Sequence, residues 1–105
     1  MPGQGKYVVT EGADSDLVAI AKYTRDVWGA RQRERYIEEL FRFFQQIADD
    51  PGLGRERFRA FPRLQTRLFR KNHHVYYRQS GGVIEILAVL HVRQDQEAAL
   101  GERHP

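Results

Sequence analysis

Two amphipathic segments separated by only two residues constrain this 105-residue chain more than any other feature. In the first segment apolar residues recur at helical spacing, with Asp14 or Ser15 as the expected N-cap and Gly29 as the expected end. Its apolar stripe consists of Leu17, Ile20, Ala21, Thr24, Val27 and Trp28. The second segment, 31–49, repeats this spacing with Ile37, Leu40, Phe41, Phe44, Ile47 and Ala48. Because only Gly29 and Ala30 lie between them, the two helices must form an antiparallel hairpin.

Four shorter runs around the hairpin have the composition of β-strands. Residues 6–10 precede the helices, and residues 64–71, 73–79 and 83–92 follow them. Turns at 71–72 and 80–82 join the last three runs into an antiparallel meander. The order β-α-α-β-β-β predicts an α+β fold, with the helical hairpin packed on one face of a small, mainly antiparallel sheet.

The last strand has two apolar faces. We expect Ile84, Ile86, Ala88, Leu90 and Val92 to lie under the hairpin. The opposite face carries Val83, Glu85, Leu87, Val89 and His91, which is too apolar for open water. On the second helix, Tyr36 and Phe43 form another apolar line beside the main stripe, either as part of a wide core face or as a groove for a partner.

The chain is short enough for one domain, which we place at 1–95, followed at 96–105 by a polar tail that is mobile or forms a helical turn. It has no cysteine, which excludes disulfides and thiolate metal sites. The sequence contains neither a secretory leader nor an apolar run of membrane-spanning length. We therefore expect a cytoplasmic protein that does not contact a membrane.

Positive charge is concentrated in one segment. Residues 55–78 contain eight basic residues against the single acid Glu56, a local charge of +7 in a chain whose net charge is +3. Such a segment is either a solvated face or a surface for an acidic partner, nucleic acid or protein.

Catalytic constellations are few. His73 and His74 are adjacent on a strand and face opposite ways, so a shared metal ion is not expected, and no motif indicates a cofactor. Cleavage of RNA needs a base, an acid and cations, which His74, Arg78, His91 and Arg93 supply if their strands pair in a suitable register. Structural roles for these histidines are the alternative.

The order of motifs resembles the ParE branch of the RelE/ParE toxins of type II toxin-antitoxin systems, from about residue 6 to 95. The resemblance rests on Asp16-Leu17, Ile20 and Tyr23, on Trp28-Gly29, on the loop 51–55, on Tyr77-Arg78, and on Leu90-His91, Arg93 and Asp95. It implies a RelE/ParE-like fold and a toxin neutralised by a ParD-like antitoxin. Members of the ParE branch poison DNA gyrase, whereas RelE-like members cut mRNA on the ribosome.

The chain departs from the ribonuclease branch because no tyrosine follows Asp95, which favours gyrase as the target. The alternatives are a ribosome-dependent mRNA endonuclease and an attenuated toxin that acts as co-repressor with its antitoxin. We expect the toxin to contact DNA only indirectly, through its complex with the antitoxin. The expected target contacts are Arg67, Arg70, Arg78, His91 and Arg93. The expected antitoxin contacts are Tyr36, Phe43, Leu87 and Val89.

Overall fold

The predicted helical hairpin and sheet are both present in the computed structural model, which describes residues 3–103. The chain runs through β1 (Tyr7–Val9), α1 (Glu11–Trp28), α2 (Ala30–Asp49), a 3-10 turn (Pro51–Leu53), β2 (Arg55–Glu56), β3 (Gln65–Phe69), β4 (His73–Ser80), β5 (Val83–His91) and α3 (Gln96–Arg103). The sheet order is β1-β5-β4-β3-β2, with β1 parallel to β5 and the other pairs antiparallel. The predicted α+β class is confirmed, and the structure adds a two-residue strand and a third helix.

Helix α1 begins earlier than predicted. Its N-cap is Thr10, whose hydroxyl accepts a hydrogen bond from the Ala13 N–H at 3.4 Å and donates one to the Ile86 carbonyl at 2.9 Å. The expected caps, Asp14 and Ser15, lie inside the helix because Thr10 can close β1 and open α1 at the same position.

The helical hairpin packs one face of the sheet. Gly29 joins α1 to α2 directly, with φ 95°, a backbone conformation that favours glycine. The burial of α1 stops at Thr24, so the expected core positions Val27 and Trp28 are wrong: they are 50% and 70% exposed. The core between helices and sheet includes Leu17, Leu40, Phe44, Ile47, Val75, Tyr77, Ile84 and Ile86.

A β-bulge in β5 reverses the predicted faces of the last strand. Tyr77 pairs with Ile86 and Tyr76 pairs with Ala88, which leaves Leu87 without an opposite residue. Because one extra residue shifts every later side chain to the other face, Val89 packs under the helices while Ala88 and Leu90 face away from them. The predicted two-residue alternation is therefore correct before Leu87 and wrong after it.

The second apolar face of the sheet, called the outer face below, is covered by this chain itself. Leu100 of α3, Leu64 and the loop residues Phe58 and Phe61 pack there against Tyr76, Leu87, Ala88 and Leu90. The Tyr76 hydroxyl donates to Gln96 of α3 and accepts from Arg57, both at 2.9 Å. The helical alternative for the polar tail is present as α3, whereas the expected mobility is wrong for residues 96–103, which pack against the sheet. Residues 104–105 lie outside the described part of the chain.

Candidate functional site

A groove of about 700 Å³ is lined by both helices, by the β3–β4 turn and by the adjoining ends of β4 and β5. Helix α1 contributes residues from Asp16 to Trp28, and the first half of α2 contributes Gln32 and Tyr36. The lining combines aromatic, apolar and charged side chains: Asp16, Ile20, Tyr23, Trp28, Tyr36, Arg70, His73, Val89, His91 and Arg93 among others.

A tyrosine and two histidines form the polar floor of the groove. The Tyr36 hydroxyl and His73 Nδ1 are hydrogen-bonded at 2.7 Å, and the rings of His73 and His91 meet edge to face with centres 5.3 Å apart. Burial, and to a lesser degree the neighbouring His91, lowers the pKa of His73 from 6.5 to about 4. Burial also raises the pKa of Tyr36. At neutral pH this floor is therefore uncharged at His73 and Tyr36.

Exposed aromatic groups stand at one rim of the groove. Tyr23 is 66% exposed and Trp28 is 70% exposed, both on α1 and both lining the groove. Val27 on the same helix end is half exposed. Large aromatic side chains left in water beside a concave surface are typical of protein-binding sites.

Arginines carry positive charge to the rim of the groove. Arg70 forms an ion pair with Glu39 of α2, and its guanidinium lies 6.0 Å from the centre of the Tyr36 ring. Arg93 is exposed, and its backbone N–H donates to His91 Nδ1 at 3.1 Å. The groove thus joins a floor in which His73 and Tyr36 are uncharged to a rim that favours acidic groups.

The β3–β4 turn that holds Arg70 has an unusual backbone. Arg70 and Lys71 have φ 50° and 64°, values usually reserved for glycine or asparagine, and the Asn72 N–H donates to the Phe69 carbonyl at 3.0 Å. The turn was predicted one residue later, at 71–72. Strain of this kind persists where the surrounding contacts hold the backbone in place. The turn held in this way places Arg70 beside the groove.

Of the four expected antitoxin contacts, Tyr36 and Val89 line the groove, and Phe43 and Leu87 do not. Tyr36 is half buried and lines the groove. Phe43 and Leu87 are each 9% exposed and Val89 is 2% exposed. Of the two alternatives for Phe43, the wide core face is therefore the one present, whereas the expected exposure of Leu87 and Val89 is wrong. Phe43 lies between the ring of Phe69 and the guanidinium of Arg67, Leu87 is covered by the residues of the outer face, and the bulge turns Val89 inward.

The four residues expected to form a ribonuclease site do not come together. His74 and Arg78 lie on the outer face, where Arg78 is paired with Glu85 at 2.9 Å. His91 pairs with His73 on the helix side of the sheet, and Arg93 follows it at the groove. Within residues 3–103 there is also no group of three or more side chains that could hold a metal ion.

The five expected target contacts divide between surfaces. Arg70, His91 and Arg93 meet at the groove. Arg67 is held over the Phe43 ring at 4.9 Å, and Arg78 is on the outer face. Sequence reasoning did not assign Tyr23 and Trp28 to a binding surface, because Trp28 fits the spacing of the core stripe and Tyr23 contributed only to the family resemblance.

The sequence matches a known family along most of its length. Residues 7–96 match the model for the ParE toxin of type II toxin-antitoxin system, parDE. A "Toxin ParE" of Escherichia coli is 34% identical over 99 residues, which cover 92% of this chain and 94% of that protein. A "Toxin ParE1" of Caulobacter vibrioides is 36% identical over 97 residues, which cover 90% of this chain and 97% of that protein.

Solved structures share the fold. A chain of the chromosomal ParDE toxin-antitoxin system from P. aeruginosa superposes with a TM-score of 0.73 at 21% identity, covering 85% of this chain and 97% of that one. A chain of the RelBE2 toxin-antitoxin complex from Mycobacterium tuberculosis superposes with a TM-score of 0.62 at 19% identity, covering 83% and 96%. Among the described residues, no helix combines the length and apolar character needed to cross a membrane.

Proposed function

Since this chain belongs to the ParE toxin family of type II toxin-antitoxin systems, we propose that it inhibits DNA gyrase by binding to it and that a ParD-like antitoxin neutralises it. In this proposal the toxin acts in the cytoplasm and contacts DNA only through its complex with the antitoxin. Its activity is that of an inhibitor and requires no cofactor.

One observation supports inhibition by binding over cleavage of RNA. His74 and His91, the expected acid and base, lie on opposite faces of the sheet, because they occupy adjacent positions of the β4–β5 register: His74 pairs with Leu90 and His91 with His73. General acid-base catalysis requires both groups within hydrogen-bonding reach of one scissile bond. A single phosphodiester cannot meet both.

We propose that the groove binds the antitoxin through an amphipathic helix. Tyr23 and Trp28 supply exposed aromatic anchors, and Tyr36 supplies a half-buried one beside them. Acidic residues on that helix would meet Arg70 and Arg93 and accelerate association, whereas the aromatic anchors would slow dissociation.

An extended part of the antitoxin has a sheet edge available. Strand β2 pairs with Gln65 and Thr66 alone, so among residues 3–103 no strand pairs with the outer edge of β3 from Arg67 to Phe69. Leu68 is 47% exposed on this edge. Adding a strand there would satisfy backbone groups that otherwise face water.

Induction in cells separates the proposed target from the ribosomal alternative. Gyrase inhibition predicts a DNA-damage response while a reporter mRNA stays intact. Rapid cleavage of that mRNA with translation arrest and no DNA-damage response would contradict the proposal. Undisturbed growth without antitoxin would instead support the attenuated, co-repressing toxin.

A further inference from the structure

Two buried polar atoms on the outer face have no hydrogen-bond partner among residues 3–103: Thr66 Oγ1 and His74 Nδ1. Thr66 is only 5% exposed. It sits opposite Tyr76 in the β3–β4 register, and His74 lies two positions from Tyr76 on the same strand, so all three side chains share one face. Leaving a buried donor unpaired lowers stability, which calls for an explanation by function.

Unpaired positive charge lies beside these atoms. Arg55 is opposite Thr66 in the β2–β3 register, and Arg57 donates to the Tyr76 hydroxyl at 2.9 Å, which holds its guanidinium against the same face. Neither arginine forms an ion pair within the described chain, 3–103. Burial, then the charges of Arg57 and Arg55, lowers the pKa of His74.

The nearest acid of this segment points away. Glu56 occupies the alternate position of β2, opposite Gln65, and accepts a hydrogen bond from the Arg63 backbone N–H at 3.0 Å. The other groups that face His74 across the sheet are Leu68 and Leu90, which carry no charge, and Tyr76 is the remaining titratable neighbour. The carboxylate that this face does carry, Glu85, is paired with Arg78 at 2.9 Å. Donors and cations are therefore concentrated around Thr66 and His74, and Arg55 and Arg57 have no carboxylate partner within residues 3–103.

We propose that Arg55, Arg57, Thr66 and His74 form a binding site for a phosphate group. Two guanidinium groups, a hydroxyl and an imidazole N–H are donors of the kind that tetrahedral phosphate oxygens accept, and a phosphate offers more acceptor oxygens than a carboxylate. Thr66 and His74 would gain the partners that they lack in the free protein. The site is on the outer face, on the other side of the sheet from the helices, and does not depend on which target the toxin inhibits.

Nuclear magnetic resonance of the whole chain tests this site with inorganic phosphate at constant ionic strength. The ring signals of His74 should shift saturably, and phosphate should raise the pKa of His74 because the bound anion favours the imidazolium. The signals of His91, on the other face, serve as an internal control. A His74 ring that does not respond to tens of millimolar phosphate would overturn the proposal.

Variants separate a built site from diffuse positive charge. Thr66→Val should weaken phosphate binding about tenfold, since a hydrogen bond to a charged group is lost, while the melting temperature stays equal or rises. Arg55→Gln should also weaken binding about tenfold, whereas Arg59→Gln, an exposed arginine of the same segment, should change it less than about twofold. Equal binding by wild type and Thr66→Val, or equal losses in Arg55→Gln and Arg59→Gln, would contradict the site.

Two further ligands identify the source of the phosphate. Adenosine monophosphate presents a phosphomonoester, and a short single-stranded oligonucleotide presents phosphodiesters. If the oligonucleotide shifts the His74 signals at lower concentration than phosphate does, and Thr66→Val reduces that effect, the site holds a nucleic-acid strand. If only phosphate and the monoester act, the site holds a small phosphorylated molecule.

Discussion

Asp16 and Arg103, 87 positions apart, form a two-point ion pair that ties α1 to the C-terminal helix α3. Arg103 Nη1 and Nη2 lie 2.9 Å and 2.6 Å from the two carboxylate oxygens of Asp16. The same two side chains also bond the backbone of β5 beside the bulge: the Val89 N–H donates to Asp16 at 2.8 Å, and Arg103 donates to the Leu87 carbonyl at 3.1 Å. The pair therefore satisfies backbone groups along the edge of β5 beyond the residues that pair with β1.

Removing either partner should destabilise the fold, to different extents. Asp16→Ala should cost about 2–4 kcal/mol of unfolding free energy, because both the Arg103 guanidinium and the Val89 N–H lose their acceptor. Arg103→Ala should cost about 1–3 kcal/mol. Urea unfolding of both single variants and the double variant measures their coupling. Strictly additive losses would show that the pair does not act as a unit.

A loop glycine is expected to tolerate no side chain. A Cβ on Gly54 would lie 1.9 Å from the Tyr77 hydroxyl oxygen, which donates to the Pro51 carbonyl at 2.7 Å. Gly54→Ala should therefore lower stability by about 1–3 kcal/mol through overpacking. The matched control is Gly52→Ala, where no atom lies within 4 Å of the added Cβ. Thermal melting should separate the two variants, and adding Tyr77→Phe should restore part of the loss in Gly54→Ala.

Substituting a core residue should lower stability, whereas substituting a groove residue should weaken antitoxin binding. Phe43→Ala should lower unfolding free energy by about 3–5 kcal/mol, because a buried ring leaves a cavity. Trp28→Ala should leave the melting temperature almost unchanged and weaken antitoxin binding by about 2 kcal/mol or more if Trp28 is an interface anchor. Calorimetry of binding and melting of each variant provides both numbers. Full antitoxin affinity in Trp28→Ala would remove the α1 end from the interface.

Acidification should lower the free energy of unfolding through protonation of His73, which lies in the groove floor. Its pKa of about 4 in the folded chain lies below the unfolded value of 6.5. The unfolded chain therefore binds more protons than the folded chain between pH 4 and pH 6.5. The contribution of neutral His73 to the free energy of unfolding is fully present above about pH 6.5 and is lost as pH falls toward 4. His73→Gln, which cannot titrate, should show a shallower loss of unfolding free energy across this window. Parallel profiles for the two proteins would refute this origin of the pH dependence.

The helical hairpin and the meander could be predicted from the sequence, because periodicity and turn chemistry are local. The glycines at 81 and 82 adopt positive φ as their turn requires, and Gly29 ends α1. The bulge at Leu87 could not be predicted, since one unpaired residue leaves no pattern in an apolar run. That single residue decides that Val89 is core and that His74 and His91 lie on opposite faces.

The C-terminal helix shows a second limit of sequence reasoning. Gln96–Arg103 is polar by composition, yet Leu100 is fully buried and Gln96 is 7% exposed. Their partners, the outer face and Asp16, are distant in the sequence. An isolated eight-residue helix would be marginal in water, so tertiary packing determines it. The groove was missed for a related reason, because its lining residues come from α1, α2 and the strand ends, which are distant in the sequence.

Supercoiling by purified DNA gyrase is the most direct test of the proposed function. The toxin should inhibit supercoiling of relaxed plasmid, and stoichiometric antitoxin should restore it. Phe43→Ala is unsuitable here because a loss of about 3–5 kcal/mol would remove much of the stability of a small domain. Trp28→Ala should remain inhibitory but be rescued less well by antitoxin. Gyrase that supercoils normally in a large excess of folded toxin would contradict inhibition of gyrase by this protein.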